Sequence, residues 1–192
     1  MFKDVYLNEL CDQIQRTRII TCDDKKLFYE VGICRLVDKF TEHKRNENKI
    51  IFIGNGGSAA IASHMTADYM KNGGMNTYSL YDNAVMTCMG NDYGFEYVFS
   101  KPLSFIGKEN DLLVAISSSG NSQNIINAIN VARDNGMDVI TFTGFKSDNK
   151  AKQLGDINVY VPSEKYGIVE SIHTIMLQQI VDLIMERDGA KL

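Results

Sequence analysis

Five short apolar runs, at residues 49–53, 76–80, 112–116, 139–142 and 157–161, alternate with stretches of helical spacing, and this alternation limits the fold more than any other feature of the chain. Strands buried on both faces read as unbroken apolar runs, and parallel neighbours need a crossover long enough to hold a helix. Helical patterns fall at about 59–71, 121–135 and 147–154, with another around 96–106 that starts or breaks near Pro102. The expected fold is therefore α/β: a three-layer αβα sandwich with a central parallel sheet of about five strands. Ahead of it, residues such as Leu27, Val31, Leu36 and Phe40 recur at helical spacing, which predicts N-terminal helices as a preface at about 1–45, without a strand. Asp23 and Asp24 would cap the join between two of those helices. A closing C-terminal helix is expected at about 169–185. With no linker or repeat in view, a single domain over residues 1–192 is expected.

Composition narrows the partners. The net charge of −4 lacks the basic footprint that nucleic-acid binding needs, so no nucleic acid is expected. A small anion is not excluded by that charge, since backbone N–H groups supply positive potential without lysine. Cys11, Cys22, Cys34 and Cys88 have no metal or redox spacing and read as reduced core thiols. No apolar run approaches the roughly 18 residues of a spanning helix. The first residues mix charge with apolar side chains, so a cytoplasmic protein with no membrane partner is expected.

The chemistry concentrates at two strand ends. In "IFIGNGGSAA", residues 51–60, an apolar strand runs into glycines and then into helix formers. A Walker loop would need a lysine that is absent. Gly54, Gly56 and Ala59 fit a dinucleotide fingerprint, with Asp82 beyond the next strand as a ribose-binding carboxylate. The same stretch also fits a sugar-phosphate turn, in which Asn55 and Ser58 supplement the helix N–H donors. A second loop of the same build, "ISSSGNS" at residues 116–122, offers Ser117, Ser118, Ser119 and Ser122. Serines there could simply cap a helix. Two such loops in one chain favour a phosphate, which hydroxyls and N–H groups together can saturate, and they point to no nucleotide cofactor.

The pair "GNGGSAA" and "ISSSGNS", with "GNDYGFE" between them, resembles the sugar isomerase (SIS) family over nearly the whole chain, in particular its members that convert sedoheptulose 7-phosphate to D-glycero-D-manno-heptose 7-phosphate. The resemblance implies an aldose–ketose isomerase working through an enediol, on a sugar phosphate, as a homotetramer with active sites between subunits. It implies that Asn55, Gly56, Gly57, Ser58, Asn91, Asp92, Ser117, Ser118, Ser119 and Ser122 bind substrate. It further implies a catalytic set of His64, Asp68, Glu170 and Gln178, which in this family is also a candidate zinc site.

Within that set the chain departs from the family pattern. Asp68 stands where glutamate is usual, Glu170 where glutamine is frequent, and Gln178 where histidine is usual. Glutamine has no proton to give near neutrality, so Gln178 can orient a hydroxyl but cannot act as general acid. Proton transfer is expected to shift toward Glu170, with Asp68 or His64 assisting. A zinc set with one imidazole is poor for that metal. Related readings are an isomerase for a different phosphosugar, and a non-catalytic tetramer that binds sugar phosphate in a regulatory or assembly role. His173, three residues after Glu170, reads as packing or a hydrogen bond; His43, among charges, reads as solvated surface; the methionines read as core or interface filler.

Overall fold

The computed structural model describes residues 2–190. Helix α1 (Phe2–Arg16) leads into strands β1 (Arg18–Thr21) and β2 (Lys26–Leu27), then α2 (Tyr29–Arg45), β3 (Ile50–Gly54) and α3 (Gly57–Lys71). There follow β4 (Thr77–Ser79), α4 (Asn83–Tyr93), a single 3-10 turn (Phe95–Tyr97) and α5 (Ser100–Ile106). The chain ends in β5 (Leu112–Ser117), α6 (Gln123–Asp134), β6 (Asp138–Thr143), α7 (Lys150–Leu154), β7 (Ile157–Tyr160) and α8 (Tyr166–Arg187).

The sheet has seven strands in the order β2-β1-β7-β6-β5-β3-β4. The five expected strands are all present and mutually parallel, with Gly54 opposite Ile116 and Ser117 opposite Thr143. The expectation of about five strands, and of a preface without one, is corrected by β1, which pairs antiparallel with β7, and by β2, which pairs antiparallel with β1. These strands are four and two residues long, too short to show a period between two helices. Asp23 and Asp24 lie in their hairpin turn, Asp24 with φ +57°, and α2 instead starts at Tyr29, with Phe28 at the cap position and no side-chain cap.

Alternation along β3 builds two cores. Ile50 and Phe52 face α2, α3 and α8, where Phe52 packs with Phe40 and Tyr69, whose ring centroids lie 4.9 Å apart. Ile51 and Ile53 face α5, α6 and α7 with Ile125, Ile129 and Leu103. Each fully buried side chain of this size stabilises the fold by about 2 kcal/mol. Helix α8 lies against the sheet beside α3, and Tyr69 Oη donates to Leu177 O at 2.8 Å between them. This helix, 22 residues long, does meet the length and apolarity of a membrane span, correcting the expectation from uninterrupted runs. Half of the apolar stretch is buried in the fold, and packing on the sheet accounts for its composition.

Two further expectations are corrected, and one helix was not anticipated. All four cysteines are free but exposed rather than in the core. His43 is 2% exposed, not solvated surface, because the last turn of α2 packs over the start of β6. Helix α4 had no sequence signature: none of its residues is buried, so it has no apolar stripe to read.

Candidate active site

Strand β3 continues to β4 on one side, while β5, β6 and β7 build outward on the other. The crevice between the carboxyl ends of β3 and β5 is thus a topological switch point, where open α/β sheets bind ligands. Both loops singled out in the sequence leave from these two strands.

They line one cavity of about 370 Å³, formed by Asn55, Gly56, Gly57, Ser58, Ser117, Ser118, Ser119, Ser122, Tyr166 and Glu170. Helices α3, α6 and α8 all begin at this cavity, and none of the three carries a side-chain cap on its first N–H groups. Elsewhere, Asp82 caps α4 and Asn149 caps α7 with side-chain oxygens. An uncapped helix start is no site by itself, as α2 shows. Three converging on one hollow give unpaired donors and the positive ends of three helix dipoles. No lysine or arginine lines the cavity. Its anion-binding potential comes from backbone and hydroxyl groups.

The serines are not spent on capping. Ser122 occupies the cap position of α6 without a cap hydrogen bond, and the buried Oγ of Ser118 has no partner among the described residues. A buried hydroxyl left unpaired costs about 1–3 kcal/mol, so a ligand oxygen there is well placed to recover that energy. Ser117 Oγ accepts from Gly120 N at 3.2 Å. Gly120, at φ +62°, packs so closely on Asn149 that a side chain would collide with it.

Two residues that tie the loops of the cavity in place, Asn124 and Tyr81, escaped the sequence reading. Asn55 and Asn124 exchange side-chain amide bonds, Asn55 Nδ2 to Asn124 Oδ1 at 2.8 Å and Asn124 Nδ2 to Asn55 Oδ1 at 3.0 Å. This reciprocal pair ties the first loop to the helix that follows the second. Tyr81 closes β3: its Oη accepts from Gly54 N at 2.6 Å and donates to Gly54 O at 2.8 Å. Burial pushes the Tyr81 phenol well above its usual pKa, so it stays protonated as a donor. Neither residue sits in a motif; their partners are far away in sequence.

Glu170, one turn into α8, lines the cavity with its carboxylate against Gly57 at the start of α3, and a Cβ on Gly57 would overlap it. The other three expected catalytic residues lie elsewhere. His64 Nε2 is 3.3 Å from Asp68 Oδ2, and Gln178 Nε2 donates to the same oxygen at 3.0 Å. Gln178 is eight residues beyond Glu170, about 12 Å along the helix axis. The expected four therefore divide into Glu170 in the cavity and a His64–Asp68–Gln178 cluster farther down the α3–α8 groove. As a zinc set they do not fit: Gln178 turns its NH2 toward the carboxylate, and no three His, Cys, Asp or Glu side chains converge among the described residues.

Asn91 and Asp92 are also outside the cavity lining. They form the exposed last turn of α4, where Asn91 Nδ2 donates to Asp92 Oδ1 at 2.8 Å, rather than a turn against the substrate loops. Asp82 caps α4, its Oδ1 accepting from the Val85 N–H at 2.9 Å, and it is not among the residues lining the cavity. His173 is fully buried and pairs Nε2 with Thr143 O at 3.1 Å, as its reading for packing or a hydrogen bond expected.

A mostly parallel sheet with a glycine-rich and a serine-rich loop on the two sides of the switch point defines an α/β protein with its candidate ligand site in that crevice. The profile described as SIS domain matches residues 29–144, and the chain belongs to the SIS domain family. A phosphoheptose isomerase of Escherichia fergusonii is 34% identical over 197 residues, covering 100% of both chains. One of Aliarcobacter butzleri is 39% identical over 149 residues, 74% of this chain and 78% of that protein. Among solved structures, phosphoheptose isomerase GmhA from Neisseria gonorrhoeae superposes with a TM-score of 0.81 at 30% identity, covering 97% of each chain.

Proposed function

We propose that this protein is a phosphoheptose isomerase, converting sedoheptulose 7-phosphate to D-glycero-D-manno-heptose 7-phosphate, with residues 1–192 working as one SIS domain. The observation that carries this reading is the convergence of both loops and Glu170 on one cavity. The phosphate sits among the serine hydroxyls and the open starts of α6 and α8. Glu170 takes the proton from C1, and the C2 carbonyl oxygen gains one, giving the enediol. The proton is then returned to C2 while the C1 hydroxyl loses its own, leaving the aldehyde. The N–H groups at the start of α3 stabilise the oxyanion as charge develops.

Asp68, held between His64 and Gln178, orients the imidazole rather than taking the substrate proton in this reading. The reading includes a homotetramer, supported by large apolar side chains left exposed, Phe28 at 86% and Phe105 at 72%. Assembly would bring the exposed His64, Asn91 and Asp92 of one copy within reach of another copy's cavity; light scattering tests it. Zinc has no assigned step, because the expected ligands do not converge.

The test is hydrogen exchange. In D2O the protein should incorporate deuterium at C1 of sedoheptulose 7-phosphate and at C2 of the aldose product, assayed with added zinc and with chelator. A second reading is favoured by Gln178, which cannot supply the proton its position usually supplies. In that case the protein binds sugar phosphate without catalysis, and thermal stabilisation would occur with no exchange.

A further inference from the structure

Tyr166 lines the cavity as the first residue of α8, one turn before Glu170, and neither its sequence context nor the reaction above gives it a role. It is 61% exposed, and its ring packs edge-on against Phe145 with centroids 4.7 Å apart and planes at 76°. Phe145 holds φ +54°, a left-handed conformation that costs a bulky residue about 1–2 kcal/mol. Both of its backbone groups are held. Its N–H donates to Ser163 O at 2.9 Å, and Tyr160 Oη donates to its carbonyl at 2.7 Å. The preceding Gly144 donates its N–H to Ser118 O at 3.0 Å, which joins this bend to the phosphate loop.

Strain is kept where the surrounding structure over-determines it, and such places cluster at ligand sites. Here the strained residue, itself packed on the core, carries an exposed aromatic ring at the edge of a phosphate-type cavity. A ring face beside an anion subsite offers an apolar, rigid surface to the carbons next to the phosphate.

We propose that Tyr166, braced by Phe145, is a specificity-determining residue whose ring packs on the C–H face of the sugar and measures its chain length. The inference rests on the sugar-phosphate reading above and adds the residue that discriminates among sugars. The loops hold the phosphoryl group in any ligand; the ring rewards only one with carbons long enough to lie along it.

Titration calorimetry tests this with inorganic phosphate, ribulose 5-phosphate, fructose 6-phosphate and sedoheptulose 7-phosphate on the full chain. Tyr166→Ala should weaken the seven-carbon ligand about tenfold and leave inorganic phosphate within about twofold, so that the preference for longer sugars collapses. Tyr166→Phe should retain the preference, since the ring carries it. Phe145→Gly, which removes the brace and relieves the backbone, should reproduce the loss with phosphate binding intact. Equal weakening of every ligand including phosphate, or no change in the preference, overturns the inference. A wild-type protein that binds sedoheptulose 7-phosphate no tighter than inorganic phosphate overturns the isomerase reading itself, and is seen before any variant is made.

Discussion

At the amino ends of the central strands, Asp111 accepts from Lys49 N and Lys108 N at 2.8 Å each and pairs with Lys49 Nζ at 2.6 Å, whereas at the carboxyl ends Ser118 Oγ and the starts of three helices have no such partners. The amino end continues in the same manner. Asp156 accepts from Val139 N at 2.7 Å, and Asp138 takes Lys39 Nζ at 2.9 Å and His43 Nε2 at 3.0 Å. An ionised carboxylate only accepts, so His43 carries its proton on Nε2, and its Nδ1 is left to accept from Asn48 Nδ2 at 3.4 Å. One end of the sheet satisfies its polar groups internally and thereby holds the fold. The other keeps donors open, which lowers stability and leaves binding capacity for a ligand.

The contrast breaks if the two ends respond alike to mutation. Glu170→Gln should lower deuterium exchange into the sugar phosphate by about 100-fold or more, the usual weight of a general base, while the urea midpoint is unchanged. Retained exchange would remove Glu170 from the proton transfer. Asp111→Ala should do the reverse, costing about 3 kcal/mol in urea unfolding by stranding a lysine and two N–H groups, with sugar-phosphate affinity unaltered. An affinity loss there would mean the two ends are coupled.

The histidines sharpen the comparison. Burial lowers both pKa values, but Asp138 partly offsets the effect at His43, whereas His173 has only the Thr143 carbonyl and falls to about 4. The unfolded chain therefore takes up the proton more readily than the folded one. Stability is complete above the unfolded pKa of about 6.5 and declines as pH falls toward about 4, by about 1.4 kcal/mol per unit. His173→Gln, compared with wild type across that window, should flatten the slope. The smallest effect is expected at the surface: Arg187→Ala breaks the ion pair to Asp38 at 2.7 Å, with side chains 45% and 69% exposed, and should change stability by under about 0.5 kcal/mol.

Legibility in the sequence follows how far each residue's reason lies from it. β3, β5, β6 and β7 were readable because double-sided burial writes an apolar run into each, whereas β4, at the sheet edge, leaves Tyr78 and Ser79 exposed. β1 and β2 were not, since their pairing partners lie across a hairpin and at the far end of the chain, and α4 was not, since it buries nothing. The loops were readable as strand, turn and helix in succession. Asn124, Tyr81 and Tyr166 were hidden, because each acts on a residue or cavity wall dozens of positions away. Local spacing likewise placed His64 with Asp68 but grouped Glu170 with Gln178, which two turns of helix keep apart.

What the chain determined alone was the set of parts: alternating apolar runs and helices fix an α/β sandwich, and two short loops fix where phosphate-type donors sit. Strand order was decided only in three dimensions. Putting β3 beside β5, with the sheet growing away on both sides, brings residues 55–58 and 117–122 to one crevice, and packing α8 beside α3 carries Glu170 into it. No local pattern encodes that adjacency, because it depends on which buried faces fit together once the whole sheet has formed.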